Sequence, residues 1–563
     1  MRSLRGRNVL GAAAWHGQPK AGRTEPPGSE REWTGSGRFA AHAVFRDQGS
    51  RASPPESSDS GLDRMHRRSL PPFASLSSFL DHLRREGEVR AISAPVAMAL
   101  ELTELHRRVI ARSGPVLHIE NPTVGTGTVA SMQVVTNLFG TVARVAAGLG
   151  TTPAGLADLG ELLAWLRSPQ PPQSLRDARD MLPAARAALM ARPRKVGPPR
   201  DLRDVDPDFA LLPVQTCWPG DAGPLITWPL VVTRAPGDDD PATYNLGVYR
   251  MQVLDRDRAI VRWLPMRGGA AHHRAWRAKG ADMPVAVVIG ADPATMLAAV
   301  MPSPEGVSEL GLAGLINDRR AAIAPCAAIP LHVPASAEIV LEGTVSATET
   351  AVEGPFGDHT GYYNSPDRYP VFTLKRLRMR DGACYLTTFT GRAPDEPSVI
   401  GEALLELFKP LLRRQIPEIL DVWLPPEACS YRIAVVSIDK RYPGQARRVM
   451  MGFWSLLPQF SMTKIVIVVD GDVDIRSWAE IMWAVATRMD PSRDLVTIDR
   501  TPVDQLDFAS PLEGLGGKLG IDATRKIGAE TSRDWGVGLL MDREVAERVT
   551  RRWTEIFPED AHG

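Results

Sequence analysis

The chain has 563 residues, and its 66 basic and 66 acidic side chains give a formal net charge of zero. This length predicts two or three domains rather than one core, and the balanced charge provides no global field for nucleic acid. Four scattered cysteines without a C-x-x-C pair indicate neither a disulfide framework nor a thiolate zinc site, and no apolar run approaches the roughly twenty residues that span a bilayer.

Residues 1–64 differ in composition from the rest of the chain. Met1–Arg23 contains basic residues and no acid, and a stretch rich in Gly, Pro, Ser and Glu follows with little apolar periodicity. Such a composition cannot bury enough apolar surface to fold. We expect either a disordered extension or a mis-called start with Met65 as the true one, and an organelle transit peptide is the third alternative.

Residues 65–195 predict a small α/β domain followed by a linker. Apolar residues recur at helical spacing over Phe73–Glu86 and again over Glu101–Ser113. Two short extended runs follow these helices, at Val89–Ile92 and Val116–Ile119. The Pro- and Arg-rich stretch Pro169–Arg200 then marks the clearest boundary of the chain.

Residues 196–395 predict a β-domain, because short apolar runs alternate with few long helices. An antiparallel sheet or barrel is the architecture that such a pattern favours. The predicted strands are Leu225–Val232, Tyr244–Leu254, Ala259–Leu264, Pro284–Ile289, Ala337–Thr344, Pro370–Arg380 and Ala383–Thr388.

Residues 396–563 predict a C-terminal α/β domain with a parallel sheet in a βαβαβ arrangement. Its predicted elements are a helix at Ile400–Phe408, a strand at Arg432–Ile438, a helix at Gln445–Leu457, a strand at Ile465–Val469 and a helix at Ile475–Met489. The acids of Val469–Asp474 are more typical of helix caps than of a cation site. The glycines of Leu515–Gly520 allow close backbone approach, and Lys518 among them is a weak candidate for contact with a phosphate or a polarised ring oxygen. The last predicted helix, Asp542–Ile556, has one apolar face and is expected to dock on a neighbouring subunit.

The most informative segment is Val352–Gly361, which places Glu353 and Asp358 around a Gly-Pro-Phe-Gly loop. Gly354 and Gly357 permit backbone angles that are closed to other residues, so both acids can face one cavity. Two carboxyls held this close should not both ionise easily, and we expect one to keep a proton near neutral pH, as a general acid requires. The alternative is a pair of solvated turn residues.

Three upstream segments supply further polar candidates. Arg250 lies within an apolar strand, and a buried arginine needs an acidic partner. The stretch Arg262–Ala270 predicts a strand that leaves into a glycine turn, which is suited to clamping a flat ligand with an anionic tail. Ser308 predicts a helix N-cap with Glu309 in the first turn, where an acid is either a dipole partner or a metal ligand.

Five motifs in this order resemble the UbiD family of decarboxylases, and the resemblance runs from Leu70 to Ile556. They are N-L-G-V-Y-R, R-W-L-P-M-R-G-G-A, S-E-L-G-L-A-G, E-G-P-F-G-D-H-T-G-Y-Y and R-Y-P-G-Q-A-R-R-V-M-M-G. The resemblance implies a multidomain α/β (α+β) protein. It has a small N-terminal α/β domain, a central antiparallel split barrel like that of flavin reductases, and a C-terminal α/β domain with parallel strands.

The family also implies an activity and its cofactors. We expect the non-oxidative decarboxylation of an aromatic acid with prenylated FMN, Mn²⁺ or another divalent metal, and K⁺. The expected substrate is 3-polyprenyl-4-hydroxybenzoate, which would give 2-polyprenylphenol in ubiquinone biosynthesis; another aryl, heteroaryl or acrylic acid is the alternative. A flavin prenyltransferase would supply the cofactor. The protein would be a cytoplasmic homo-oligomer, dimeric or hexameric, with peripheral contact at the inner membrane.

The resemblance assigns roles residue by residue. Asp358 matches the proton donor, and Glu353 and Arg250 match the other members of its network. Asn245 and Glu309 match the metal ligands. The cofactor-contacting positions are Val248, Tyr249, Arg250, Arg262, Trp263, Leu264, Arg267, Gly268 and, near a family lysine, Lys518. One departure is that no histidine stands near Met266, where many relatives place a metal ligand, and we expect His272 and His273 to be surface residues.

Two other classes of function remain open on the sequence. A metal-dependent hydrolase would use Asn245, Glu309, Glu353 and Asp358 as oxygen ligands around a bound water. It would leave the R-W-L-P-M-R-G-G segment without a role. A non-catalytic flavin-binding scaffold would hold the cofactor and release no CO₂.

Overall fold

The computed structural model describes residues 68–167, 188–303, 306–456 and 458–557. The expected extension at residues 1–64 lies outside these ranges, as does most of the Pro- and Arg-rich stretch. All four ranges belong to one compact unit, Asp59–Gly563. Within them, no helix combines the length and the apolar character needed to cross a membrane.

The N-terminal region contains the two predicted helices and the two predicted strands, together with further elements that the sequence analysis did not predict. They are α1 Leu76–Arg85, β1 Val89–Ile92, β2 Val96–Ala97, α2 Glu101–Ile110, β3 Val116–Ile119, β4 Pro122–Val124, β5 Thr128–Val129, β6 Val134–Thr136, α3 Val142–Gly148 and α4 Leu156–Arg167. Helix α1 begins after Ser75, whose hydroxyl accepts a hydrogen bond from the Ser78 N–H, while the Ser78 side chain bonds back to Ser75. This reciprocal cap satisfies N–H groups that a helix start otherwise leaves without partners.

The central region contains more helix than its sequence predicts. Its elements are β7 Arg194–Lys195, β8 Leu202–Val205, β9 Leu225–Ile226, β10 Leu230–Thr233, β11 Asn245–Val248, β12 Met251–Val253, β13 Arg258–Val261, α5 Gly268–Ala278, β14 Met283–Ile289, α6 Pro293–Ala298, α7 Glu309–Ile316, β15 Ala322–Pro325, β16 His332–Pro334, β17 Ile339–Glu353, β18 Asp367–Arg380 and β19 Tyr385–Leu386. The predicted glycine turn is the start of helix α5.

The main central sheet is antiparallel throughout, with strand order β11-β10-β14-β17-β18-β13-β12-β9 and β8 paired to β18. No ladder among the described residues joins the edge strands β11 and β9, and the sheet is a curled half-barrel. The predicted strand Ala383–Thr388 does not belong to it. Its core, β19, pairs in parallel with β6 and completes the N-terminal sheet of order β1-β3-β6-β19.

The predicted strand Tyr244–Leu254 is interrupted at Arg250, the residue that was expected to pair with an acid. The run Tyr244–Leu254 forms β11 and β12 with Tyr249 and Arg250 between them. Strand β11 pairs with β10 at one edge of the sheet, whereas β12 pairs with β13 and β9 at the other. The interruption therefore frees Arg250 from the ladder and lets its side chain reach the end of β17.

The C-terminal region is an α/β unit with a mixed sheet. Its elements are α8 Glu396–Gln415, β20 Ile419–Trp423, β21 Ile433–Ile438, α9 Gln445–Leu456, β22 Ile465–Asp470, α10 Trp478–Arg488, β23 Leu495–Pro502, β24 Leu515–Ala523, α11 Arg543–Arg551 and α12 Trp553–Ile556. Strands β21, β22 and β24 are parallel, and β20 and β23 add antiparallel edges, which the prediction of a parallel sheet missed. The glycine-rich stretch Leu515–Gly520 lies in β24.

Successive side chains of β21 and β22 point to opposite faces of the C-terminal sheet, and both faces are buried. Val436 and Val468 lie in a core cluster on one face, and Val435 and Ile467 lie in a second cluster on the other. The N-terminal and central sheets instead share a single larger core. The C-terminal sheet is therefore covered on both sides, as expected for strands with near-continuous apolar sequence.

The acids after β22 are neither helix caps nor a cation site. Arg488 Nη1 donates to Asp470 at 2.6 Å, and both its terminal nitrogens donate to Asp472 at 2.9 and 2.8 Å. Arg525 also pairs with Asp472, and the N-cap of α10 is Ser477. The capping interpretation of these two acids was wrong because partners distant in sequence neutralise them.

Candidate functional site

The two acids of the Gly-Pro-Phe-Gly loop meet around one arginine. Arg250 Nε donates to Glu353 Oε1 at 2.8 Å and Nη2 to Oε2 at 3.2 Å, while Nη1 donates to Asp358 Oδ2 at 2.9 Å. The guanidinium carbon lies 5.3 Å from the ring centre of Phe356, which is fully buried. The Glu353 side chain is 1 % exposed and that of Asp358 is 11 % exposed. The alternative of solvated turn residues is therefore wrong.

Three polar side chains that the sequence analysis did not select hold the loop in place. Asn364 Oδ1 accepts from both Arg250 Nη2 and the Phe356 N–H, at 2.9 and 2.8 Å. Gln252 Oε1 accepts from the Gly354 N–H at 3.0 Å, and Asp221 Oδ1 accepts from the Gly357 N–H at 2.9 Å. Asn364 directly follows the G-Y-Y end of the motif, which was the available signal.

Both glycines of the loop are required, for different reasons. Gly354 has φ of +84°, which a residue with a side chain rarely adopts. At Gly357, an added Cβ would lie 2.2 Å from Trp218 Cδ1. The loop backbone is thus fixed against β17 on one side and Trp218 on the other, and the direction of Asp358 follows from it.

For Asp358, the structure corrects the expectation of a proton that is kept near neutral pH. Burial alone would raise the pKa of Asp358, but the hydrogen bond from His359 and the charges of Arg250 and His359 outweigh it and hold that pKa well below its usual range. Arg262 Nη1 adds a contact to Asp358 Oδ2 at 3.3 Å. Arg250 stands between the two acids, so each carboxyl group has a cation as its partner.

All the expected cofactor-contacting residues except Lys518 lie between Val248 and Gly268 and are called the cofactor surface here; two of them, Arg250 and Arg262, contact Asp358. Tyr249 and Trp263 make an edge-to-face pair with ring centres 5.7 Å apart, and the Tyr249 hydroxyl accepts from the Gly269 N–H at 3.2 Å. Arg267 caps helix α5, and its charge counters part of the rise in the Tyr431 pKa that burial causes. Val248 is the last residue of β11 and pairs with Leu230 of β10. The carbonyl oxygen of Leu264 accepts a hydrogen bond from the Arg267 N–H.

Two buried donors on this surface have no acceptor among the described residues. They are the indole Nε1 of Trp263 and the Nε of Arg262. A buried donor without a partner costs free energy, so such groups in a folded protein call for an explanation. A polar ligand on this surface would provide one.

The two expected metal ligands lie side by side. Glu309 Oε2 accepts from the N–H of Leu246, the residue after Asn245, at 3.0 Å, and burial raises the pKa of Glu309. A Cβ at Gly268 would lie 2.1 Å from Asn245 Oδ1, so the start of α5 approaches the amide as closely as only glycine allows. A buried carboxylate and an amide oxygen suit a hard divalent cation.

Histidine 272 belongs to the same neighbourhood, contrary to the expectation of a surface residue. His272 Nδ1 lies 2.9 Å from Thr233 Oγ1, and Thr233 pairs with Asn245 across β10 and β11. His273 Nε2 lies 2.9 Å from the Ser346 carbonyl oxygen and is also partly buried. The described residues contain no group of three or more His, Cys, Asp or Glu side chains within reach of one metal ion.

Lys518 lies in β24, where its ammonium group donates to backbone carbonyls of the C-terminal region. The acceptors are the carbonyl oxygens of Ser461, Thr463 and Pro502, at 2.6, 3.0 and 3.4 Å. Burial lowers the pKa of this amine. In this arrangement its three donors point at the protein, so a contact with a ligand would require them to be redirected.

The arrangement does not resemble the active site of a hydrolase with four oxygen ligands. Glu353 and Asp358 are bound to Arg250, whereas Asn245 and Glu309 sit beside the start of α5. An arginine that neutralises two carboxylates removes the negative charge that a divalent cation needs. What the geometry offers is an acid held between cations, beside a surface with unpartnered donors.

Comparison with protein-family models gives three matches in chain order. They are the N-terminal domain of 3-octaprenyl-4-hydroxybenzoate carboxy-lyase (UbiD) at residues 80–163, its Rift-related domain at 194–393 and its C-terminal domain at 398–523.

Solved structures of UbiD-class enzymes share the fold over almost their whole length. HmfF from Pelotomaculum thermopropionicum in complex with FMN is 27% identical, with a TM-score of 0.67 over 82% of this chain and 97% of that chain. An evolved dimeric form of HmfF in complex with prFMN is also 27% identical, with a TM-score of 0.65 over 83% and 98%. The closed form of Sedimentibacter hydroxybenzoicus vanillic acid decarboxylase is 25% identical, with a TM-score of 0.69 over 87% and 99%.

Proposed function

The chain belongs to the UbiD family of aromatic acid decarboxylases, and on this premise we propose that it decarboxylates its substrate with bound prenylated FMN. The observation that carries the proposal is the Arg250 network, in which one guanidinium holds Glu353 and Asp358 beside the surface of Tyr249 and Trp263. A non-catalytic scaffold has no need of a proton donor held in this way.

The residues of the cofactor surface fit a flavin. The unpartnered donors of Arg262 and Trp263 would meet polar atoms of the ring system, and Arg267 with the start of α5 would face its phosphate. When bound, prenylated FMN would supply the electron sink that no side chain offers to the electron pair left behind by CO₂. The role of the protein's own residues is to orient the acid and to deliver a proton.

We propose that Asp358 delivers that proton and that Arg250 fixes its position. Arg250 has five N–H donors. Four of them donate hydrogen bonds to Glu353, Asp358 and Asn364. The remaining donor on Nη1 is free to meet the carboxylate of the substrate. Glu353 keeps the guanidinium in register, because both of its oxygens accept from Arg250.

We further propose that Asn245 and Glu309 hold a divalent metal, Mn²⁺ being the expected one, next to the phosphate of the cofactor. The raised pKa of Glu309 supports this, because a nearby cation would stabilise the ionised carboxylate that burial disfavours. The His272 imidazole is linked to Asn245 through Thr233. A K⁺ requirement belongs to the same proposal and is tested by omitting the ion during reconstitution.

The proposed substrate is 3-polyprenyl-4-hydroxybenzoate, with other aryl acids as the alternative, and the descriptions of the matching family models support it. The protein should be co-expressed with a flavin prenyltransferase, and its bound flavin identified by mass spectrometry. CO₂ release should then be measured from 4-hydroxybenzoates with and without a prenyl chain. Bound prenylated FMN with CO₂ release is the expected result; a preparation that binds the cofactor but releases no CO₂ from any aryl acid would refute the function. Co-sedimentation with vesicles tests the peripheral membrane contact.

We also propose that a second copy of the chain covers the C-terminal segment. Val537, Leu539 and Leu540 are 96%, 100% and 93% exposed, and a contiguous apolar segment of this kind is typical of an interface. Removing residues 532–563 is expected to lower the molar mass in light scattering to that of a smaller assembly. Substituting Val129→Ser, at an exposed valine in β5, is the control and should leave the mass unchanged. An unchanged mass after truncation would contradict the proposal.

A further inference from the structure

Asp358 needs a source of protons that the Arg250 network does not provide. Decarboxylation of an aromatic carboxylate consumes one proton for each product molecule, because the bond from the ring to CO₂ is replaced by a bond to hydrogen. The cations around Asp358 hold it in the ionised form. If the proposed function is correct, something must protonate this carboxylate in every cycle.

The adjacent histidine has the geometry for that task. His359 Nδ1 lies 2.9 Å from Asp358 Oδ1, the oxygen that does not face Arg250, and the His359 N–H donates to the same oxygen at 2.8 Å. The Arg262 contact is also to the other oxygen. The two sides of the carboxylate are therefore distinct, one bound to arginine and one to imidazole.

The far side of the imidazole faces the C-terminal region. His359 Nε2 lies 3.7 Å from Oδ2 of Asp504, which stands in the connection between β23 and β24. The same oxygen accepts from the Tyr431 hydroxyl at 2.9 Å. A carboxylate at each nitrogen favours the doubly protonated ring, because both N–H groups then have negative partners.

We propose that His359 is the proton source of Asp358 and that Asp504 keeps His359 charged between turnovers. In the proton-transfer step the Nδ1–H bond of the imidazolium breaks and an O–H bond forms on Asp358. That carboxyl group then gives the proton to the ring carbon as CO₂ leaves, and solvent returns a proton to the imidazole. His359 acts through Asp358, and Asp504 acts through His359. Both are therefore positioning residues rather than catalytic ones.

The charged groups around His359 determine the direction of its titration. Burial lowers the pKa of His359, but the hydrogen bond and charge of Asp358 and the charge of Asp504 outweigh this, with Arg432 opposing them, so the pKa lies above the ordinary value. The charge of His359 also acts on Asp395, and Arg250 and Arg262 pair with the other oxygen of Asp358. Protonated His359 is then available up to a higher pH than an isolated histidine would be.

A purely structural role is the competing explanation. The loop that carries His359 also contacts the C-terminal region through Tyr362 and Phe508, whose ring centres lie 6.0 Å apart. If His359 only joined these regions, a neutral side chain with the same N–H donor would replace it. The proton-source role, in contrast, requires a group that gains and loses a proton.

The first test needs neither cofactor nor substrate. Exchange of the histidine C2 hydrogen for deuterium, followed by mass spectrometry of the peptide that contains His359, gives the midpoint of its titration. Asp504→Asn is expected to move that midpoint down by about one pH unit, as the loss of an adjacent opposite charge does. Asp507→Asn is the matched control, because this acid lies in the same connection and pairs with Arg432 as Asp504 does, but its other partner is Lys464 rather than His359. An unchanged midpoint in Asp504→Asn would overturn the proposal.

The second test uses the cofactor-loaded enzyme and the pH profile of kcat. His359→Asn keeps an N–H donor near the Nδ1 position and cannot titrate, so kcat is expected to fall on the order of 10²-fold. In Asp504→Asn the fall of kcat at high pH should begin at a pH lower by the same amount as the His359 midpoint. Wild-type kcat in His359→Asn, or an unshifted profile in Asp504→Asn, would contradict the proton-source role.

The two tests separate this inference from the proposed function. If the wild-type holoenzyme releases no CO₂, the proposed function fails, whatever the titration of His359 shows. If the wild type is active and His359→Asn is equally active, the function stands and the proton source is not His359.

Discussion

Replacing Asp358 by asparagine is expected to abolish turnover while leaving the bound cofactor in place. Asparagine has the same shape, and its amide oxygen can still accept from Arg250, so the loop should keep its conformation. It cannot act as an acid, and losing a positioned acid costs on the order of 10³-fold in rate. Single-turnover decarboxylation and the flavin absorption spectrum measure the two quantities in one preparation.

The matched control for this variant is Asp367→Asn. Asp367 is the first residue of β18, pairs with Glu353 of β17 and is exposed. Its carboxylate accepts a hydrogen bond from the neighbouring Arg368 N–H. It should retain wild-type turnover. Turnover close to that of the wild type in Asp358→Asn would remove Asp358 from the chemistry and leave the donor among the remaining groups of the site.

Replacing Arg250 by methionine is expected to cause the largest loss of stability. Methionine keeps an apolar body of similar length but leaves Glu353, which is 1 % exposed, and Asp358 without their shared cation. Removing one partner of a buried ion pair typically costs about 3 to 5 kcal/mol, because the remaining charge is buried without compensation. The thermal unfolding midpoint of the purified protein measures the effect.

Two further variants show whether the unpaired charges cause the loss of stability in Arg250→Met. Arg258→Met removes an arginine that pairs with Asp255 at 2.6 Å at the exposed start of β13, and exposed ion pairs contribute little to stability because solvent screens them. Adding Glu353→Gln to Arg250→Met should restore part of the lost stability, because one unpaired charge is removed. A loss in Arg250→Met no larger than that in Arg258→Met would show that the network does not stabilise the fold.

The contacts of the acid loop could be predicted where the partner types were restrictive. A lone arginine in an apolar strand requires an acid, and the resemblance to the UbiD family indicated that the partners of Arg250 are Glu353 and Asp358. The structure brings Arg250 to both Glu353 and Asp358. The small helices and strands near the N-terminus were predicted equally well, because their apolar spacing is local and strong.

Other features depend on partners that are distant in sequence. The ionised state of Asp358 is set by His359 together with Arg250 and Arg262, and the sequence indicated only that two acids were close. Arg488 and Arg525 neutralise Asp470 and Asp472, although the local pattern favoured helix capping. Pairwise charge compensation of this kind leaves no periodic signal, so the single sequence does not indicate it.

Strand β19 has a consequence for how the protein is synthesised. Its two residues, Tyr385 and Leu386, complete the sheet begun by β1, and their carbonyl and N–H partners lie in and beside β6, some 250 residues earlier by sequence position. Until this stretch has left the ribosome, β6 keeps an unpaired edge, which is prone to associate with other chains. The amino-terminal half of a nascent chain therefore cannot finish folding before the central region is translated, and slow translation there would prolong the exposure of that edge.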